Sequence, residues 1–301
     1  MVNLDLLARS SGTFAMLAID QREALRGMRA KAADQPVEEI PDSALIEFKL
    51  EVIRALSPLA SAVLMDEEMA ARPALDQGAL LPDTGLVIAV DQLVGPPGKA
   101  AQETAIDRSV DLTFWKEVGA VGAKLLAFWD PARPNLTRSM VADFISLSQD
   151  ADLAAVLEII VDDSNGAGRF AAPQTVVDAA AWASQFPFDL YKAQVPYGGD
   201  PSVDADLIRH ACEQLTARVG RPWVVLSNGV SAEDFPRAVQ IACEGGASGF
   251  LAGRAIWEHA ATSQDFSGAL RTESAQRLQH LCQIVDEHGV PWSKSAAGSG
   301  T

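Results

Sequence analysis

The stretch "FPFDLYKAQVP", Phe186–Pro196, reads as a strand buried on both faces, interrupted by one ammonium at Lys192. Period-two alternation sets Leu190, Lys192 and Gln194 on one face and Tyr191 with Ala193 on the other. A lone charge in such a strand is expensive to bury. The rest of the chain supplies the reason for it.

Seven further apolar runs share its character: "FAMLAID" (14–20), "SAVLMD" (61–66), "GLVIAVD" (85–91), "VGAKLLAFW" (121–129), "AAVLEIIV" (154–161), "PWVVLSNG" (222–229) and "ASGFLAGRA" (247–255). Most are near-continuous rather than alternating, the mark of strands covered on both sides. Between them lie helical segments such as "DSALIEFKLEVIRAL" (42–56), which Asp42 or Ser43 can cap. In "SAEDFPRAVQIACEGG" (231–246), Ser231 with Asp234 forms a capping-box-like start and Gly245–Gly246 a stop. Eight βα units in about 250 residues predict an α/β fold of the (β/α)8 TIM-barrel type. A doubly wound open sheet is disfavoured, because "IDQREALRGM" after the first strand lacks the G-x-G-x-x-G turn. The expected organisation is one barrel domain over 1–292 and a disordered polar tail, "SKSAAGSGT", over 293–301.

Composition narrows the function. A formal net charge of −16 argues against nucleic-acid partners, which need clustered cations. Cys212, Cys243 and Cys282 are widely spaced in helical sequence, so neither a disulfide framework nor a Cys-pair zinc site is expected and a reducing cytoplasm fits. No apolar run approaches the roughly 20 residues that span a membrane. A soluble, unexported homo-oligomer is expected.

In a (β/α)8 barrel, chemistry gathers at the C-terminal strand ends. The polar residues there are Asp20, Gln21 and Arg22 after strand one, Asp66 after two, Asp91 after three, Lys124 in four, Glu158 in five and Lys192 in six. Lys124, Glu158 and Lys192 fall on consecutive strands and should meet in the lumen. As a charge network that merely fills the barrel they would add little stability, since desolvation offsets attraction. As a site, a desolvated lysine beside a second cation has a lowered pKa and becomes a nucleophile for carbonyls.

Metal chemistry is the rival. His210, His259, His280 and His288 all lie in helical or post-helical sequence, so an imidazole-rich zinc or iron site is not expected, and no cofactor is called for. Mg2+ held by Asp66, Asp91 and Glu158 stays open, as does a structural role in which Asp66 and Asp91 cap helices or hold the lysines. Small residues open the helices after strands seven and eight: Ser227, Asn228 and Gly229, then Gly253 with Arg254. Backbone amides at such turns bind phosphate. Arg22, followed by Arg26 one turn later, either holds an anion at the far end of a substrate or pairs with Asp20 or Glu23.

The texts "FAMLAIDQREALRGM", "ALSPLASAVLMD", "GAKLLAFW", "DLYKAQVP", "PWVVLSNGV" and "FPRAVQIACEGGASGFLAGRAIW" together resemble the class I aldolase family that contains tagatose 1,6-bisphosphate aldolase and sulfofructose phosphate aldolase, the latter more closely. The resemblance runs from about residue 9 to 290 and implies a metal-free barrel that cleaves a ketose phosphate to dihydroxyacetone phosphate and an aldehyde. It implies Lys192 as the Schiff-base lysine, Glu158 and Lys124 as its strand-five and strand-four partners, and Ser227, Gly229, Gly253 and Arg254 as the phosphate turns. Asp20, Gln21 and Arg22 match its strand-one motif. After Glu158 the text "EIIVDDSNGAGRF" departs from sulfofructose phosphate aldolase, where a loop richer in proline and arginine is expected.

The expected reaction is imine formation by Lys192, proton shuttling by Glu158, and removal of the C4 hydroxyl proton by Glu158, Asp20 or Asp66. The expected substrate is a phosphorylated sulfosugar, 6-deoxy-6-sulfofructose 1-phosphate, with tagatose or fructose 1,6-bisphosphate as the alternative. A Mg2+-dependent lyase and a non-catalytic sugar-phosphate-binding protein are the readings from other classes.

Overall fold

Every apolar run forms a strand. They are β1 (Phe14–Ile19), β2 (Ala62–Asp66), β3 (Gly85–Ala89), β4 (Ala120–Trp129), β5 (Ala154–Val161), β6 (Leu190–Gln194), β7 (Trp223–Leu226) and β8 (Gly249–Ala252). The computed structural model describes residues 2–161 and 171–297, so most of the departing loop in "EIIVDDSNGAGRF" lies outside the described residues. The strands close into a parallel barrel in the order β1-β8-β7-β6-β5-β4-β3-β2. Each is followed by at least one helix, which covers the outer face, and closure leaves the barrel without a free edge.

The strand period sorts side chains into two cores. Phe14, Met16 and Ala18 of β1, Val156 of β5, Leu190 of β6 and Val224 of β7 fill the lumen, and Leu4 and Leu7 close its N-terminal end. The alternate residues, among them Leu17, Met65, Tyr191 and Ala193, pack outward against the helices. Continuing the inward phase up the strands gives Asp20, Lys124, Glu158 and Lys192, so one periodicity yields an apolar plug below and a charged layer above. Glu158 and Lys192 are direct register partners.

Three local expectations change. Pro41, not Asp42 or Ser43, is the N-cap of helix Asp42–Leu56, and the Asp42 carboxylate instead accepts from Arg26 Nη2 at 2.6 Å. The run "GLVIAVD" stops as a barrel strand at Ala89. Asp91–Val94 then pairs antiparallel with Glu103–Ile106 as a hairpin. Its tip docks on helix Glu23–Ala33, where Gly98 N donates to Glu23 Oε2 at 3.0 Å and any Cβ on Gly27 would collide with the Gly98 carbonyl. Finally, helix Trp292–Ala297 occupies part of the stretch expected as a disordered tail. Trp292 anchors it, donating from Nε1 to Asp5 Oδ1 at 3.2 Å. The Ser231 and Asp234 pair forms as expected, with Asp234 N donating to Ser231 Oγ at 3.1 Å ahead of helix Phe235–Glu244.

Among the described residues no helix is long and apolar enough to cross a membrane. Cys212, Cys243 and Cys282 are free thiols, buried within helices.

Candidate active site

The charged layer forms the floor of a cavity of about 310 Å³ at the C-terminal mouth of the barrel. Lys192 Nζ donates to Glu158 Oε2 at 2.9 Å, and the same oxygen lies 3.1 Å from Lys124 Nζ. The three residues expected side by side in the lumen do meet there, with the two cations sharing one carboxylate oxygen. Lys124 Nζ also stands 2.7 Å from Asp20 Oδ2 and 2.7 Å from Asp91 Oδ2. Burial works against its charge, but Asp20, Asp91 and Glu158 outweigh burial and hold the ammonium well above the usual lysine range.

The two aspartates respond in opposite directions. Burial opposes the Asp20 carboxylate, yet Lys124 and Lys192 prevail and hold it below the usual range. Burial pushes Asp91 up, against Lys124 and with the help of Asp20. Asp91 also accepts from Leu126 N at 3.0 Å, and its carbonyl accepts from Arg22 Nη1 at 2.7 Å. The root of the hairpin thus ties Lys124 of β4 to Arg22 after β1. Asp20 Oδ1 and Gln21 Oε1 are buried, lack hydrogen-bond partners among the described residues and belong to cavity-lining residues, a donor-seeking arrangement suited to substrate hydroxyls.

Ser227, Asn228, Gly253 and Arg254 line the part of the wall contributed by the turns after β7 and β8. Asn228 and Gly229 both take positive φ, 26° and 84°, which turns the chain sharply after β7. Gly229 itself is not one of the lining residues. Gly253 is the N-cap of helix Arg254–Ala261, so that helix presents its first amides at the cavity. The Arg254 guanidinium has no hydrogen-bond or ion-pair partner among the described residues.

Asp66 does not join this group. Its carboxylate is ion-paired with the buried Lys49 of helix Asp42–Leu56, and Oδ2 accepts from Met69 N at 2.8 Å. The set Asp66, Asp91 and Glu158 imagined for Mg2+ is therefore not assembled, because Lys49 takes one member and Lys124 the others. Among the described residues no group of three His, Cys, Asp or Glu is arranged to hold a metal. Gln194 continues the inward phase but accepts from Val161 N at 2.8 Å, which secures the end of β5.

Sequence reading missed the hairpin's contribution of Leu93, Gly95, Lys99, Ala100 and Ala101 to the cavity. The Lys99 ammonium has no hydrogen-bond or ion-pair partner among the described residues. The dipeptide and glycine at Pro96-Pro97-Gly98 were the available turn signal.

Comparison with known proteins agrees with this geometry. The chain is 27% identical to tagatose 1,6-diphosphate aldolase 2 of Streptococcus mutans, over 96% of this chain and 94% of that one. It is 26% identical to tagatose 1,6-diphosphate aldolase 1 of Enterococcus faecalis (96% and 95% covered) and 28% identical to tagatose 1,6-diphosphate aldolase of Staphylococcus aureus (98% and 97%). None of these three is named for a sulfosugar. A solved fructose-bisphosphate aldolase from Plasmodium falciparum shares the fold, with a TM-score of 0.66 at 13% identity over 95% of this chain and 93% of the other. The model of the DeoC/LacD aldolases matches residues 14–259, which span the barrel from β1 to the helix after β8, and the chain belongs to the DeoC/LacD family of aldolases.

Proposed function

We infer that the protein is a Schiff-base aldolase cleaving a ketose 1-phosphate that carries a second anion at C6. The observation that carries this is the Lys192–Glu158 contact of 2.9 Å at the floor of a cavity whose wall offers Arg254 and the Gly253 turn to a phosphate. Glu158 sits within proton-transfer reach of the amine that must lose and regain protons.

The Lys192 amine attacks the C2 carbonyl of the open-chain sugar, and Glu158 donates the proton that lets water leave, giving an iminium. Glu158 or Asp20 removes the C4 hydroxyl proton. The C3–C4 bonding pair then moves to the iminium as the aldehyde departs, leaving an enamine on Lys192. Protonation at C3 and addition of water release dihydroxyacetone phosphate and restore the amine. Lys124 remains an ammonium throughout, its three N–H groups facing Asp20, Asp91 and Glu158, and so holds these carboxylates in place for the substrate. Asp66 is removed from the candidates for the base, since its oxygens are already engaged.

The relatives' names favour a distal phosphate, as in tagatose 1,6-bisphosphate, over a sulfonate. Lys99 and Arg22 are the cations available for that end. The test is cleavage of tagatose 1,6-bisphosphate, fructose 1,6-bisphosphate and 6-deoxy-6-sulfofructose 1-phosphate, with dihydroxyacetone phosphate assayed as common product. The expected result is the highest kcat/KM on a bisphosphate. A higher value on the sulfosugar would replace phosphate by sulfonate, and no dihydroxyacetone phosphate from any of the three would sink the reading.

A further inference from the structure

A second cavity, of about 300 Å³, lies outside the barrel, between β2, β3 and helix Asp42–Leu56 and beneath residues 77–84. It shares no lining residue with the active-site cavity. Ile53, Val63, Met65, Leu75 and Leu86 form apolar walls, and among the described residues no charged side chain lines it. Protein interiors leave few voids larger than a water molecule, and this volume stands at the lower end of those that hold small ligands.

One buried polar group breaks the apolar lining. Ser57 is 2% exposed, and its hydroxyl has no hydrogen-bond partner among the described residues. A buried hydroxyl left unpaired is costly, and it can both donate and accept. At the rim Leu81 is 42% exposed, an apolar residue where a tail could enter.

We propose that this cavity binds a small neutral amphiphile: one hydroxyl or carbonyl oxygen on an apolar body of roughly six to ten carbons. The oxygen pairs with Ser57 Oγ and the body lies against Val63, Met65 and Leu75. The uncharged lining rejects anionic metabolites, including the sugar phosphates of the active site, because a charge would enter with no partner.

The probes are 1-heptanol and its anionic counterpart heptanoate, titrated into the full chain by calorimetry with cleavage activity assayed in parallel. The expected result is saturable binding of heptanol and at least tenfold weaker binding of heptanoate. Ser57→Ala should weaken heptanol by roughly three- to tenfold, the worth of one neutral hydrogen bond. Leu80→Trp, on the loop that roofs the cavity, should abolish binding by filling it, and both variants should keep wild-type kcat. The proposal is overturned if heptanol gives no saturable heat, if heptanoate binds equally well, or if Ser57→Ala leaves heptanol affinity unchanged.

Discussion

Lys192 and Glu158 are register partners on β6 and β5, and their side chains meet at 2.9 Å inside the barrel. Adjacent parallel strands hold the pair at fixed spacing, so the proposed proton relay would not depend on a loop. Glu158→Gln keeps the shape and one acceptor oxygen but cannot take up a proton. We expect kcat to fall about 10²–10⁴-fold with KM changed little, the usual range for losing a positioned acid–base group. A variant with near wild-type kcat in steady-state assays would remove Glu158 from the mechanism.

Lys124 is in ion-pair contact with three buried carboxylates, Asp20, Asp91 and Glu158. Lys124→Ala should lower activity without abolishing it, since the amine of Lys192 remains. It should also cost about 3–5 kcal/mol in urea melts, because the carboxylates lose their cation. The pH dependence carries opposite signs for the two aspartates. Asp20 is depressed in the folded state, so its stabilisation is present above the unfolded carboxylate pKa of about 3.9 and is lost as pH falls toward the lower folded value. Asp91 is raised, so its contribution is full below that unfolded value and fades as pH rises through the folded one. Asp20→Asn should flatten the acid limb of the stability profile, whereas Asp91→Asn should relieve loss toward neutral pH.

Lys49 and Asp66 form a buried pair away from the cavity, with Lys49 0% exposed and its pKa pulled down by burial against the attraction of Asp66. Lys49→Met should destabilise the fold by about 3–5 kcal/mol, because Asp66 is left as an uncompensated buried charge. The double variant Lys49→Met/Asp66→Leu should recover much of that loss. Both should retain kcat per folded molecule, measured beside denaturant midpoints, and a large kcat defect in the double variant would return Asp66 to the site.

Lys99 lines the cavity beside Gly98, where the hairpin tip is pinned to helix Glu23–Ala33 through Glu23 and Gly27. If it meets the distal anion, Lys99→Met should raise KM about tenfold for a ketose 1,6-bisphosphate and leave fructose 1-phosphate unaffected. An equal KM rise on both substrates would assign Lys99 to the common phosphate instead.

The barrel and its charged floor were legible because both follow from strand period. Eight apolar runs set the architecture, and Lys124, Glu158 and Lys192 each interrupt a run in the inward phase. What was lost depended on partners distant in sequence. Asp66 looks like a strand-end functional carboxylate until Lys49 is placed, though Lys49 does fall on the buried stripe of Leu45, Val52 and Leu56 in its helix. The hairpin was hidden because Asp91 reads as the end of a strand, while its actual work is to grip Lys124 and begin a new turn over the mouth.

The most direct measurement is borohydride reduction of the protein in the presence of dihydroxyacetone phosphate, followed by peptide mass analysis. An imine on Lys192 predicts a stable adduct on the peptide containing "DLYKAQVP", absent from Lys192→Ala, which should also lack turnover. No adduct, an adduct confined to another lysine, or substantial turnover by Lys192→Ala would contradict the account.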